Sequence, residues 1–193
     1  MKARVLFATG YEEVEALTVV DLLRRAGVEC LMVSADDQDT VTGARGMEVT
    51  MDEKLSEIDD QCDLVVLPGG IPGVPNLKAN SKVQAMVKAQ NGRGGYVAAI
   101  CAGPTALGAF GVLADKNATC YPGCEDQLMA KRHSTEPVVV DGNVITSRGV
   151  GTAIEFALKL VEILIDRQTA DDLAEKIVYK SCLLYTSPSP RDT

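Results

Sequence analysis

Short, continuous apolar runs alternate along this chain with segments of helical periodicity. Three of these runs, at residues 5–8, 64–67 and 97–100, each end at a turn rich in glycine, proline or other small residues. Strands that are apolar at every position are typical of parallel sheets covered on both faces. The alternation therefore predicts an α/β fold: a sandwich with a mostly parallel central sheet and helices on both faces.

The remaining elements and the edge that carries a site follow from the same pattern. We expect a further strand at 28–33, hairpins at 40–55 and 138–146, a helix that follows the turn at 101–104 and ends near 110, and helices at 13–26, 80–91, 151–165 and 170–179. The loops at 9–15, 68–73 and 101–104 all follow strands, so they should open on one edge of the sheet. Ligands of open α/β sheets bind at that edge.

The composition of the chain limits which classes of function it can have. The chain has 193 residues, of which 46% are hydrophobic, enough for a single domain that we expect over 1–180. Its net charge of −8 argues against nucleic acid or an anionic membrane as a partner. No apolar stretch approaches the ~20 residues that a membrane span needs. Residues 1–8 lead straight into a strand-like run without a signal-peptide core, so we expect a cytoplasmic location.

Residues 181–193 differ from the rest of the chain. Helical periodicity ends after Tyr179, and the Ser-Pro repeats that follow favour a disordered tail. The string also resembles translated sequencing-adapter sequence. We therefore treat 181–193 as a disordered or non-native tail and give its Cys182 no functional role.

The six cysteines are scattered, which favours free thiols over a disulfide framework in a cytosolic chain. Cys120 and Cys124 are close enough in sequence to raise the alternative of a metal site. A second cysteine pair is lacking and His133 is the sole histidine, so a closed four-ligand zinc site is hard to build. We expect no metal and interpret both residues as surface or half-buried thiols.

Cys101 lies where the run at 97–100 meets a turn of small residues that opens a helix. The pattern A-x-C-x-G, from Ala99 to Gly103, has the mechanics of a nucleophile elbow with sulfur in place of oxygen. Such a turn holds the side chain above the sheet and points the first amides of the helix toward it, which favours the thiolate. The alternative is a buried structural cysteine.

A nucleophilic thiol needs an oxyanion site and a proton partner. The N–H groups of Gly70 and Ala102 are candidates for the oxyanion site, although an ordinary strand-ending turn is the alternative at Gly70. Glu12, Glu13 and Glu15 are the candidate proton partners, and two of them are expected to be solvated acids at a helix start. Burial beneath the cysteine would raise the pKa of the third, but the sequence alone does not choose among them.

Four motifs, in order along the chain, resemble the ThiJ/PfpI superfamily, in particular the branch that contains the Parkinson-disease-associated deglycase. They are EEVE at 12–15, LPGG at 67–70, AAICAGP at 98–104 and TSRGVGT at 146–152, within a likeness from residue 2 to 180. The resemblance implies a flavodoxin-like sandwich and a homodimer. It also implies that Cys101 is a reactive, oxidation-sensitive nucleophile to which Glu15 hydrogen-bonds. The oxyanion site would then be formed by the amides of Gly70 and Ala102.

The leading hypothesis is a cysteine-dependent glyoxalase or deglycase. It would act on methylglyoxal-type dicarbonyls, or on their adducts with thiols and amines, without a cofactor. The main alternative is a redox-sensing or chaperone-like stress protein that works through oxidation of Cys101. A second alternative is a PfpI-like intracellular peptidase, which needs a catalytic histidine.

The resemblance also indicates where in the chain a catalytic histidine would be expected. Some relatives place one near the nucleophile, from the segment before the last hairpin. His133 lies in that neighbourhood but too close to the hairpin, so it is either a catalytic residue or an ordinary surface histidine.

Overall fold

The computed structural model describes residues 1–59 and 61–179, so the predicted tail at 181–193 lies outside the described residues. The strands are β1 (Lys2–Phe7), β2 (Glu29–Ser34), β3 (Thr40–Thr42), β4 (Glu48–Thr50), β5 (Glu53–Lys54), β6 (Leu64–Leu67), β7 (Tyr96–Ile100), β8 (Asn117–Ala118), β9 (Arg132–His133), β10 (Val138–Asp141) and β11 (Val144–Ser147). The helices are α1 (Glu13–Arg25), α2 (Gly73–Ala79), α3 (Ser81–Gly92), α4 (Pro104–Ala109), α5 (Ala153–Leu164) and α6 (Arg167–Lys176).

Seven strands form the central sheet, in the order β10-β11-β7-β6-β1-β2-β5. Neighbouring strands are parallel, apart from β10 and β11, which form an antiparallel hairpin at one edge. The mostly parallel sheet predicted from the apolar runs is confirmed. The loops after β1, β6, β7 and β11 follow the carboxyl ends of parallel strands and so share one edge of the sheet.

Helices cover the sheet on both faces. Along β1, Val5 and Phe7 pack on one side with residues of α1, α5 and α6. Leu6, between them, packs on the other side with residues of α2, α3 and α4. Because successive side chains of a strand point to opposite faces, two covered faces explain why the strands are apolar at every position.

The structure contains one helix that the sequence did not predict. Gly73 and Pro75 lie in the first turn of α2, whereas the sequence predicted a loop at 68–73 and no element at 74–79. Proline is tolerated in the first turn of a helix, where its missing N–H has no helical acceptor. Asn80 then separates α2 from α3, because its side-chain oxygen accepts from the N–H groups of Lys82 at 2.9 Å and Val83 at 3.3 Å.

The short parallel pair of β8 and β9 was also not predicted, because strands of two residues are too short to show a periodicity in the sequence. Both predicted hairpins are present, as β3 with β4 and as β10 with β11. Across residues 1–59 and 61–179, no helix has the length and apolar character needed to cross a membrane.

Candidate active site

Cys101 occupies a sharp turn between β7 and α4. Its backbone has φ of +66°, a left-handed conformation that is uncommon for a residue with a side chain. The Cys101 N–H donates to the Ser147 carbonyl at 3.0 Å, which ties the turn to the end of β11. A Cβ on Gly103 would lie 2.6 Å from the Leu67 carbonyl oxygen, so the turn has no room for a larger residue there. The local geometry is that of the predicted elbow.

The Glu15 carboxyl lies beneath this turn. It is 0% exposed, and its Oε2 accepts from the Gly69 N–H at 3.0 Å. Burial raises the pKa of Glu15 to about 7, and the negative charge of Glu12 adds to the rise. Hydrogen bonds with the Cys101 thiol and the Gly69 N–H act in the opposite direction. Among the three candidate acids, the structure brings Glu15 to the thiol, as the resemblance implied.

The Cys101 thiol has a raised pKa, first because it is partly buried and second because the Glu15 carboxylate lies beside it. The hydrogen bond from the Ala102 N–H lowers the pKa but does not offset these effects. The Ala102 amide acts in the expected direction, toward the thiolate, but burial and the adjacent Glu15 carboxylate outweigh it, so the net pKa of Cys101 is raised. Two such close groups titrate as a pair, and the thiolate forms most readily while Glu15 carries the proton.

Two of the candidate acids were expected to be solvated, and for Glu13 this is wrong. Its side chain is 2% exposed, and Oε1 accepts from the Arg45 N–H at 2.6 Å. Glu13 thereby binds the β3–β4 hairpin. Glu12 is partly exposed and caps α1, since its carboxylate accepts from the Glu15 N–H at 2.8 Å.

A cavity of about 690 Å³ opens above Cys101. The three predicted loops each contribute to it, and both candidate oxyanion residues, Gly70 and Ala102, line it together with Cys101. The remaining walls come from the β3–β4 hairpin, from a turn between β8 and β9, and from the loop after β11. Their residues are Ala44, Arg45, Tyr121, Pro122, Cys124, Arg148, Gly149, Val150, Gly151 and Thr152.

The loop after β11 is organised by Thr152. Its Oγ1 accepts from the N–H groups of Arg148 at 3.3 Å and Gly149 at 3.1 Å. Ser147 and Thr152 also share a hydrogen bond between their hydroxyl groups, 2.7 Å apart. The motif at 146–152 thus builds a compact turn that forms one wall of the cavity.

His133 does not line this cavity. It lies in β9, where its register partner is Ala118 of β8. The segment before the last hairpin does reach the cavity, but with Tyr121, Pro122 and Cys124. The sequence reasoning missed these residues; the Pro-Gly pair at 122–123 marks a turn, but nothing local shows where it lies.

Within the described ranges, no group of three or more His, Cys, Asp or Glu side chains is arranged to hold a metal ion. The five cysteines of those ranges are unpaired: Cys30, Cys62, Cys101, Cys120 and Cys124.

Comparison with known proteins connects this geometry to a family. The DJ-1/PfpI family model matches residues 1–163. The chain belongs to the DJ-1/PfpI family. A Danio rerio relative, Parkinson disease protein 7 homolog, is 40% identical over 184 residues, which cover 93% of this chain and 97% of the relative. A glutathione-independent glyoxalase of Caenorhabditis elegans is 34% identical over 169 residues, covering 86% and 89% of the two chains.

Solved DJ-1 structures share the fold. Oxidized DJ-1 from Toxoplasma gondii superimposes with a TM-score of 0.90 at 36% identity, covering 93% of this chain and 99% of that one. The flavodoxin-like sandwich and the family membership inferred from the four motifs are both confirmed.

Proposed function

We propose that this chain is a cysteine-dependent, cofactor-independent glyoxalase of the DJ-1/PfpI family that converts methylglyoxal to lactate. The observation that carries the proposal is the placement of Cys101 and the buried Glu15 carboxyl at the floor of one cavity. The similarity to a glutathione-independent glyoxalase supports it, because that relative is 34% identical over most of both chains.

In the first step, the Cys101 thiolate attacks the aldehyde carbon of methylglyoxal and forms a hemithioacetal. The carbonyl oxygen becomes an alkoxide, and the N–H groups of Gly70 and Ala102 stabilise its charge. Ala102 already directs its N–H toward the sulfur, and Gly70 lines the same cavity. Both donors are backbone groups, so they need no rearrangement when the charge develops.

In the second step, Glu15 passes the proton that it took from the thiol to the alkoxide, and the carboxylate that results then moves a proton between the two reacting carbons. It removes the proton from the carbon bonded to sulfur and returns a proton to the neighbouring carbon, which leaves a lactate thioester on Cys101. Water then hydrolyses the thioester and releases lactate and the thiol. A carboxyl with a pKa of about 7 suits this role, because both of its protonation states are populated near neutral pH.

Adducts of methylglyoxal with thiols and amines are a second proposed substrate class, which gives the chain a role in protection against carbonyl and oxidative stress. The cavity of about 690 Å³ is large for a three-carbon dicarbonyl and has space for an adduct. Arg45 and Arg148 line the cavity, and their guanidinium groups can donate hydrogen bonds to a larger substrate.

The test is lactate production from methylglyoxal without added glutathione. Cys101→Ser should abolish turnover, and Glu15→Gln should lower it by about 10²-fold or more, the usual contribution of general acid–base catalysis. Cys62→Ser is the matched control, since Cys62 precedes β6 at the opposite edge of the sheet and does not line the cavity. Turnover that persists in Cys101→Ser would refute the proposal.

A redox-sensing role is the second candidate function. The Cys101 thiol is half-buried and open to the cavity, and the T. gondii relative was solved in an oxidized form. A sensor needs Glu15 only as a hydrogen-bond partner, so Glu15→Gln should retain peroxide reactivity at Cys101 if sensing is the role.

A peptidase role has less support, because His133 does not line the cavity.

We also propose a homodimer in the cytoplasm. Apolar side chains of α1 and α5, Val14 and Ile154, are 48% and 39% exposed and offer an apolar contact surface. Light scattering on the wild type and on Val14→Glu tests the dimer, which the charged variant should weaken.

Unpaired cysteines are typical of a reducing compartment, which supports the cytoplasmic location.

A further inference from the structure

A tight turn is held directly against the elbow. The Tyr121 N–H donates to the Cys101 carbonyl at 2.8 Å, and the Cys124 N–H donates to the Tyr121 carbonyl at 3.0 Å. Pro122 and Gly123, with φ of +93° at the glycine, occupy the two central positions, as in a type II turn. We call residues 121–124 the YPGC turn. Two hydrogen bonds therefore connect the backbone of Cys101 to that of Cys124.

The side chains of Cys101 and Cys124 also face the same space. Both line the cavity, and a negative charge on Cys124 raises the pKa of Cys101. Cys120 is different: it is 0% exposed and does not line the cavity. Burial and the negative charge of Glu125 raise the pKa of the Cys124 thiol, and the nearby Lys78 ammonium acts in the opposite direction. Two thiols, one of them at the elbow, thus line the same cavity.

We propose that Cys124 is the resolving thiol for Cys101 and that the two form an intramolecular disulfide after oxidation by a hydroperoxide. In the first step, Cys101 sulfur attacks one peroxide oxygen, the O–O bond breaks, and Cys101 sulfenic acid and water or an alcohol are formed. In the second step, Cys124 sulfur attacks Cys101 sulfur, the S–O bond breaks, and the hydroxyl leaves as water. One peroxide is consumed, in the first step; in the second step the Cys101 sulfenic acid oxidises Cys124, so the two thiols together lose two electrons and two protons.

The YPGC turn is suited to the movement that closing such a bond requires. Tyr121, Pro122 and Gly123 are exposed, so a displacement of the turn breaks few contacts. A disulfide needs Cα atoms about 4.4–6.8 Å apart. The hydrogen bonds through Tyr121 keep the turn next to the elbow while the side chains adjust.

The disulfide would have two effects on the site. It occupies the Cys101 sulfur, which stops attack on a carbonyl substrate. It also protects that sulfur from further oxidation to the sulfinic acid, which is irreversible for most proteins. A dithiol reductant would then restore both thiols. This inference concerns peroxide chemistry at the cavity and does not depend on the proposed glyoxalase activity.

The test is treatment of the full-length chain with dilute hydrogen peroxide, followed by trypsin digestion without reduction and mass spectrometry. Cleavage after Arg93, Lys116 and Lys131 places Cys101 in peptide 94–116 and both Cys120 and Cys124 in peptide 117–131. We expect these peptides to be linked in the wild type and in Cys120→Ser. The link should be lost in Cys124→Ser and Cys124→Ala, where Cys101 should gain two oxygens instead.

Several outcomes would overturn the proposal. One is Cys101 sulfinic acid accumulating equally fast in the wild type and in Cys124→Ser, with no linked peptides. Another is a link that persists in Cys124→Ser, which would make Cys120 the partner. A third is a covalent dimer on a non-reducing gel in place of a monomer with an internal link. If methylglyoxal turnover is present, peroxide should abolish it and dithiothreitol restore it in the wild type; if turnover is absent, the peptide result still decides.

Discussion

The first turn of α1 carries two buried carboxylates that face different parts of the molecule. Glu13 and Glu15 are 2% and 0% exposed, and each is pressed against a glycine. A Cβ on Gly43 would lie 2.4 Å from Glu13 Oε1, and one on Gly69 would lie 2.5 Å from Glu15 Oε2. Each acid also accepts one backbone N–H, from Arg45 or from Gly69. Burial and local packing are thus nearly the same for both.

The difference lies in what stands opposite each acid. Glu13 faces the β3–β4 hairpin, which is also tied to the loop after β1 by the Ala44 N–H to the Tyr11 carbonyl at 2.7 Å. Glu15 faces a thiol at the floor of a cavity. Burial alone therefore does not identify a functional acid. The first carboxylate positions a wall of the site, and the second is available for chemistry within it.

The largest effect should come from Gly69→Ala. The new Cβ would lie 2.5 Å from Glu15 Oε2 and 2.6 Å from Cys101 Cβ, so the acid and the thiol must move apart. A displacement of about 1 Å in a reacting group costs roughly 10²-fold in rate, so we expect a loss of that size in kcat/KM for methylglyoxal. Circular dichroism should show a folded protein. Activity close to the wild type would mean that the spacing of this pair is unimportant.

Glu15→Gln should change the pH dependence of stability. The folded-state pKa of about 7 lies above the ordinary value of 4.5, so the native protein holds this proton more tightly than the unfolded chain. Ionisation then costs the wild type about 2–3 kcal/mol of stability as pH rises from 5 to 8, whereas the Gln variant has no such cost. Urea unfolding of both proteins at the two pH values measures the difference. A difference that does not change with pH would show that Glu15 ionises with an ordinary pKa.

The parts of the site that a local pattern specifies were predictable from sequence. The elbow is one, because Cys101 and its small neighbours are contiguous and the turn follows from them. The burial of Glu15 is not, because it depends on the Gly69 N–H, 54 residues away. The burial of Glu13 was not predictable from local sequence either. It was expected to be solvated, but the β3–β4 hairpin, which follows α1 and β2 in the chain, buries it. Likewise, the Pro-Gly turn was visible, but its hydrogen bond to the Cys101 carbonyl was not.

Glu13→Ala should have a smaller effect than the loss of Glu15, and of a different kind. It removes the acceptor of the Arg45 N–H, which costs about 1–3 kcal/mol if that donor stays unpaired. Because Ala44 and Arg45 line the cavity, KM should rise more than kcat falls. Glu13→Gln keeps an oxygen acceptor and should recover most of the stability. If Glu13→Ala and Glu15→Gln instead lowered kcat equally, the division of roles between the two acids would be wrong.

Gly149→Ala should have the smallest effect and serves as the matched partner of Gly69→Ala. Both glycines lie beside the Glu15 carboxyl, but a Cβ on Gly149 would be 3.9 Å from Oε1 and 3.4 Å from Tyr121 Cδ2, which are ordinary contacts. The backbone there is extended, with φ of 164°, so alanine is accommodated without strain. We expect stability within about 0.5 kcal/mol of the wild type and nearly unchanged turnover of methylglyoxal. A large loss in Gly149→Ala would show that the site is sensitive to any added bulk, and the effect of Gly69→Ala would then no longer report on the contact between Glu15 and Cys101.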